Sequence, residues 1–213
     1  MKVVIGNNQK EITKEDLENI VSKYSCVVLD LGTGDGRFVY KNALTNPNTL
    51  LIGVDPSEKQ LQVYSKKSVR SRLNNVLFIV GSIENLPLES DGIIDKININ
   101  LPWGTLLESI VKPTKDTVSK LSRLLKKGGE INIIFGYAPD LEPSETKRLD
   151  LPVIGTELIE KTISPLFMSC GFTLENFREM SKKELKDIET TWAKKLNFGK
   201  DRKIYNISFR KSL

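Results

Sequence analysis

Cys26-Val27-Val28-Leu29-Asp30-Leu31 is an apolar run broken only by an acid near its end, and Gly32-Thr33-Gly34-Asp35-Gly36-Arg37 follows it directly. Such a run reads as a strand covered on both faces, the mark of a parallel sheet. The D-x-G-x-G-x-G pattern then reads as a strand-to-helix turn. Its glycines let backbone approach a ligand without Cβ interference, and the helix amino terminus behind them supplies a partial positive charge. Working outward, similar apolar runs recur at Leu50 to Val54, Val76 to Val80, Ile93 to Ile99 and Ile131 to Phe135. Helical stretches separate them: Phe38 to Leu44, Ser57 to Val69, and Thr105 to Leu125 with a break near Pro113. Repeated strand, helix, strand predicts an α/β fold with a parallel sheet, right-handed crossovers and helices on both faces.

The two ends of the chain add to this frame. Val3 to Ile12 predicts a small N-terminal hairpin turning at Gly6-Asn7-Asn8, and Thr13 caps a helix whose stripe is Leu17, Ile20 and Val21. Lys127-Gly128-Gly129 reads as a turn between a helix and the fifth strand. Between Tyr137 and Pro152, three prolines and lost periodicity predict a long loop or partly helical insertion, with its boundary near residue 155. Thr156 to Cys170 reads as a helix bent at Pro165, Phe172 to Met180 as a strand, and Ile204 to Phe209 as the last strand. Ser181-Lys182-Lys183-Glu184 matches a capping box opening a helix that reaches Trp192. The expectation is a single domain over residues 1–213, its seven-stranded sheet mostly parallel with an antiparallel last strand.

Composition bounds the chemistry. A chain of 213 residues buries roughly 70% of its unfolded surface without staples. Cys26 and Cys170 lie far apart with no CxxC pair, so they predict reduced thiols, neither a disulfide framework nor a zinc site. There is no histidine, which removes Ser-His-Asp hydrolysis, HExxH metalloproteases and Cys-His proteases. The start of the chain has no signal-peptide pattern, and no apolar run approaches the roughly 20 residues of a membrane span. A cytoplasmic protein without a membrane partner is expected. The net charge of +5 suits an anionic partner and an ordinary basic surface equally.

The glycine turn discriminates between cofactors. A dinucleotide fingerprint G-x-G-x-x-G would need glycine where Arg37 stands. S-adenosylmethionine carries an ammonium, a carboxylate and a sulfonium in place of a pyrophosphate, so an acid at the strand end suits its amino-acid portion. Asp30 is assigned there, with Gly32, Thr33 and Gly34 as the cradle. Gly53-Val54-Asp55-Pro56 ends the second strand, where a carboxylate can accept both ribose hydroxyls. Gly81-Ser82-Ile83-Glu84-Asn85-Leu86-Pro87 follows the third strand, in place to contact adenine through Ile83 and Glu84. These three stations together predict a class I, Rossmann-like S-adenosylmethionine-dependent methyltransferase.

Asn100-Leu101-Pro102-Trp103-Gly104 closes the fourth strand at the edge where open sheets bind ligands. It resembles the N/D-P-P-aromatic motif of methyltransferases acting on amino groups of bases, with Leu101 replacing the first proline. An aromatic here can stack on a base, worth about 1 to 3 kcal/mol. Taken singly, Trp103 and Trp192 each read as partly buried core. They are the only two tryptophans, however, and both lie in polar, turn-like contexts, which tilts the pair toward a ligand role.

At these residues the chain resembles the aminoglycoside-resistance 16S rRNA methyltransferases of the kanamycin-apramycin type, which modify N1 of adenine 1408. The resemblance runs over nearly the whole chain. It is carried by Asp30 to Arg37, Gly53 to Pro56, Glu84 to Pro87, Pro102 to Thr105, Lys112-Pro113 and, most specifically, Trp192-Ala193-Lys194-Lys195-Leu196-Asn197-Phe198-Gly199. It departs from the family in a shorter segment between Lys67 and Asn74, and in Lys195 where arginine is common. The resemblance implies that Trp103 and Trp192 clasp a flipped adenine and that Thr105 joins the cofactor set. It further implies that Lys66, Lys67, Arg148, Lys195, Lys200 and Arg202 grip 16S rRNA in the small (30S) ribosomal subunit, with S-adenosylhomocysteine as product and a monomer as the acting form. Arg70, Arg72, Lys194 and Lys203 extend these basic groups along the phosphate path, although a charge run is usually a solvated face. N1 of adenine has a lone pair and no proton, so its attack needs placement and no general base. A tRNA or small-molecule methyltransferase, or an RNA-binding module that has kept only the fold, are the alternative readings.

Overall fold

The computed structural model describes residues 1–86 and 91–212. The chain opens with the hairpin β1 (Lys2–Ile5) and β2 (Asn8–Glu11), followed by α1 (Lys14–Val21). Thr13 accepts from the Asp16 amide while the Asp16 carboxylate accepts from the Thr13 amide, a reciprocal cap. Then come β3 (Cys26–Leu31), α2 (Arg37–Thr45), β4 (Thr49–Asp55), α3 (Glu58–Arg70), β5 (Val76–Val80) and β6 (Ile94–Asn100). The chain continues through α4 (Gly104–Val111), α5 (Lys115–Leu124) and β7 (Leu125–Phe135), then α6 (Pro143–Arg148), α7 (Thr156–Leu158) and α8 (Ser164–Ser169). It ends with β8 (Phe172–Met180), α9 (Thr191–Phe198) and β9 (Ile204–Lys211).

Among the described residues the strands form one sheet in the order β2-β1-β5-β4-β3-β6-β7-β9-β8. From β5 to β7 all pairings are parallel, and β9 runs antiparallel to both β7 and β8. Those seven strands are the predicted sheet. The hairpin widens it by pairing Val3 with Ile79, and Ser65 on α3 secures it by donating to the Val4 carbonyl and accepting from the Gly6 amide, both at 2.8 Å. Leu29, Ile52, Ile97 and Ile133 on the central strands are fully buried, as expected of parallel strands covered on both faces. No helix among the described residues is long and apolar enough to cross a membrane.

Several local readings are corrected. Lys127-Gly128-Gly129 lies inside β7, where a register shift against Ile94 and Lys96 and a φ of +72° at Gly128 make a bulge in place of a turn. The 156–170 helix is interrupted by a π-helical segment, Ile159–Ile163, just before Pro165, the wider turn accommodating a residue without an N–H. The Ser181–Glu184 capping box is present, but it opens a short 3-10 helix, Lys182–Asp187, and Ile188 is extended. Trp192 therefore sits on a separate helix, α9, capped by the Thr190 hydroxyl. Burial of Leu185 and Ile188 in a local apolar cluster overrides the helical periodicity there. The 137–155 segment carries α6; the Tyr137 hydroxyl bonds the Pro152 carbonyl across its base. Both cysteines are free and half-buried. Pro87, the end of the third predicted cofactor station, lies outside the described residues.

Asn75, nearly fully buried, donates its amide to the carbonyls of Ala43, Asn46 and Thr49 at 3.0–3.1 Å, closing the α2–β4 turn. Asn75→Ala leaves those carbonyls short of a donor. It should cost about 1–3 kcal/mol, read as a lower urea midpoint at unchanged slope.

Candidate active site

At the carboxyl edge of the sheet a cleft of about 480 Å³ opens among the turns after β3, β4, β5 and β6 and the start of α9, a size suited to a small-molecule ligand. Gly32, Thr33, Gly34, Asp55, Pro56, Ile83, Glu84 and Thr105 line it, together with Trp103, Trp192 and Lys195. The Gly32 and Thr33 amides donate to the Val54 carbonyl at 2.8 and 3.0 Å, which ties the glycine turn to β4. At Gly36, φ is +82° and a Cβ would lie 2.4 Å from the Phe78 ring, so only glycine fits where the turn enters α2.

The acids are held in distinct ways. Asp55 accepts from the Gly34 and Ser57 amides, one per oxygen, both at 2.9 Å. Burial pushes its pKa up and these amides oppose the rise. The Ser82 hydroxyl holds Glu84 below the usual carboxylate range, against the effect of burial, with Thr105 assisting. Asp30 stands behind the cleft wall and does not line it. It is 1% exposed, accepts from the Asn100 amide at 3.0 Å, and its Oδ2 has no hydrogen-bond partner. Burial pushes its pKa up to about 6, while Thr33 and Asn100 pull the other way. Asn100 itself lines the cleft. The lining thus holds the carboxylates of Asp35, Asp55 and Glu84 against the single cation Lys195 among the described residues, with Asp30 behind. A pyrophosphate would be repelled there, whereas a ligand bearing an ammonium and a sulfonium is favoured. The orphaned Asp30 oxygen and the pinned Asp55 carboxylate both fit S-adenosylmethionine.

Trp103 and Trp192, far apart in the chain, come together at the cleft mouth. Their ring centroids are 6.0 Å apart at an interplanar angle of 54°, and the residues are 41% and 38% exposed. Beneath them Leu101, Ile134, Met180, Leu185, Ile188, Ala193, Leu196 and Ile204 form a small core of their own. Leu101 reaches it with a φ of +52°, a conformation that costs a branched residue about 1–3 kcal/mol.

The basic residues are placed less uniformly. Lys194 and Lys200 are exposed, and the Lys195 Nζ lies 5.8 Å from the Trp192 ring centroid. On α3, Lys66 is half-buried, Arg70 is exposed, and Lys67 sits 3.9 Å above the Tyr64 ring. Arg148 pairs with Glu145 at 2.6 Å, and the half-buried Arg202 pairs with Glu142. Sequence reading missed Asp35, Arg37, Glu189 and Thr191, whose side chains join the glycine turn to the approach to α9. No local spacing signals a contact between residues more than 150 positions apart.

Residues 2–210 match the family model NpmA, 16S rRNA (adenine(1408)-N(1))-methyltransferase. The chain belongs to this family. A 16S rRNA (adenine(1408)-N(1))-methyltransferase of Escherichia coli is 33% identical over 213 residues, covering 98% of this chain and 97% of the relative. One from Streptoalloteichus hindustanus is 25% identical over 206 residues, covering 95% and 94%. Among solved structures, a 30S ribosomal A1408 methyltransferase from an uncultured bacterium is 43% identical with a TM-score of 0.78, covering 99% of this chain and all of that one. The aminoglycoside resistance methyltransferase NpmB1 is 32% identical with a TM-score of 0.84, covering 99% and 98%. The fold class, enzyme class and cofactor read from the sequence are borne out: this is a class I, S-adenosylmethionine-dependent rRNA methyltransferase.

The buried Asp30 charge has a consequence for stability. Its folded pKa of about 6 exceeds the unfolded value near 3.9, so the penalty is absent below about pH 4 and complete above about pH 6. Without donor, Asp30→Asn should therefore melt a few °C above the parent at pH 7.5, on a free-energy difference of at most on the order of 3 kcal/mol. That gap should close as the pH falls from 6 to 4. A gap that ignores pH across this window contradicts a buried carboxylate.

Proposed function

We propose that this chain transfers a methyl group from S-adenosylmethionine to N1 of adenine 1408 in the 16S rRNA decoding site of the 30S subunit, conferring kanamycin and apramycin resistance. The observation that carries this reading is the meeting of the two indole rings beside an acid-lined cleft. It acts as a cytoplasmic monomer on the assembled subunit.

When bound, S-adenosylmethionine supplies an electrophilic sulfonium methyl. Asp30 would act on the donor's ammonium from behind the wall, through its charge and its bond to the cleft-lining Asn100, Asp55 would hold the ribose hydroxyls, and Pro56, Ile83, Glu84 and Thr105 would hold the adenine. Gly32, Thr33 and Gly34 form the cradle around it. The target nitrogen presents a lone pair and no proton, so the protein's task is placement in line with the methyl, and the absence of histidine costs nothing. Trp103 and Trp192 supply two stacking faces, which offset the few kcal/mol of base flipping at about 1–3 kcal/mol each. Their electron-rich faces also tolerate the positive charge that appears on the methylated ring. A base between them needs the rings parallel and about 7 Å apart, twice an optimal contact, so the 6.0 Å tilted pair opens slightly as the adenine enters.

The exposed Lys194, Lys195 and Lys200, with Lys66, Lys67 and Arg70 on α3, contact rRNA phosphates and make binding steeply salt-dependent. Arg148 and Arg202 join them from their ion pairs with Glu145 and Glu142.

Labelled methyl transfer to purified 30S subunits, with the product mapped by primer extension, tests the reading. Modification should fall on adenine 1408; a mark elsewhere, or activity on free tRNA alone, rejects it. Trp103→Ala and Trp192→Ala should each cut the methylation rate about 5- to 150-fold, the loss of one stacking face. Donor affinity measured by calorimetry should stay within about threefold.

A further inference from the structure

Arg37 is the first residue of α2, directly after the glycine turn. Its Nη1 donates to the Tyr64 hydroxyl at 2.8 Å and its Nη2 to Glu189 Oε2 at 2.9 Å. Two residues earlier, Asp35 Oδ2 accepts from the Thr191 hydroxyl at 2.6 Å, and its Oδ1 accepts from the Arg37 amide at 3.1 Å. The Asp35 carbonyl also accepts from the Tyr64 amide at 3.2 Å, fixing the turn to α3. One turn thus reaches across the cleft by two side-chain bonds to Glu189 and Thr191, which flank the α9 cap Thr190, and Thr191 immediately precedes Trp192.

The rest of α9 has little other polar anchorage. Among the described residues, side-chain bonds of the 181–203 segment otherwise run within the segment, to Arg178 at the end of β8, or from Arg202 to Glu142. The small apolar cluster fixes the depth of α9 through Ala193 and Leu196, but apolar contacts are non-directional. The polar bonds to Glu189 and Thr191 therefore supply directional anchorage next to Trp192 at the cleft mouth. The Arg37 side chain is 15% exposed and that of Glu189 43%, so the ion pair is shielded from water on the Arg37 side only.

We propose that Asp35 and Arg37 are positioning residues: acting through Thr191 and Glu189, they align Trp192 with the donor, so that one turn organises both the cofactor and the base-stacking site. This rests on the function proposed above. It implies that occupancy of the donor cleft is felt at Trp192, because the turn that contacts the donor also carries the latch.

Intrinsic fluorescence reports the outcome directly, since the chain's two tryptophans both lie in the site. With S-adenosylmethionine or S-adenosylhomocysteine added to the full-length protein, the parent should show a change in tryptophan emission. Arg37→Met, Glu189→Ala and Thr191→Val should bind the donor within about threefold of the parent yet lose most of that change. In 30S methylation, each should lower kcat about tenfold while KM for the subunit changes less than threefold. Arg37→Met with Glu189→Ala should be no worse than either alone, and Arg37→Lys should recover part of the loss only when Glu189 is present. Full kcat and a full emission change in the single variants, or losses that multiply in the double variant, would overturn the proposal. Glu189→Ala leaves the Arg37–Tyr64 bond in place and keeps the test valid if Arg37→Met does not fold. Failure of the parent to mark adenine 1408 would instead reject the proposed function, and the emission readout, which needs no RNA, would still judge the latch.

Discussion

The antiparallel pairing of β9 with β7, from Glu130 opposite Arg210 to Phe135 opposite Tyr205, is the constraint from which the working site follows. β9 joins the parallel β5-to-β7 part of the sheet in reverse, and β8 pairs outside it from Phe172 opposite Lys211 to Met180 opposite Ile204. The chain between Met180 and Ile204 must then emerge at the carboxyl edge, above the glycine turn. At the opposite end Phe167 stacks on Phe209 at 4.4 Å, with Phe172 edge-on, and Arg210 reaches both Glu130 and Glu175. Apolar burial and charge pairing hold the reversed strand in register, and the register delivers Trp192 to Trp103.

Above that edge the protein accepts unfavourable local energies. Asp30 keeps a carboxylate oxygen buried and unpartnered, Leu101 holds a left-handed backbone to reach its small core, and two large aromatics stand partly in solvent. Each is a departure from what stability alone favours, and each borders the same cleft. The surrounding sheet, with its fully buried Ile and Leu layer, supplies the rigidity that keeps them in place.

The cleft also separates two kinds of recognition by charge. Its lining is acidic and suits a cationic ligand, whereas the exposed Lys194 and Lys195 of α9 stand next to Trp192 at its mouth. Lys195 belongs to both regions, lining the cleft while lying near the Trp192 ring. A net charge of +5 hides this partition, because the sum says nothing about where the signs fall.

How much of this was legible without coordinates depends on the range of the interaction. Cys26–Leu31 and Val76–Val80 were read to the residue because a strand buried on both faces writes itself as a continuous apolar run. The Thr13 cap and the Ser181–Glu184 box were legible because capping acts over three residues. That the glycine turn, Asp55 and the Ile83–Glu84 turn gather in one cleft followed from glycine and acid spacing at strand ends, and the meeting of the tryptophans from their rarity and the family resemblance. Local pattern failed where distant contacts outweigh it: at Gly128, drawn into a bulged strand by its neighbours, and after Asp187, where burial of Leu185 and Ile188 ends one helix and starts another. The withdrawal of Asp30 behind Asn100, and the reach of Asp35 and Arg37 to Thr191 and Glu189, were decided by the tertiary structure alone. Short-range geometry is encoded in adjacent residues, but a hydrogen bond closed across the whole domain exists only once the sheet has brought its partners together.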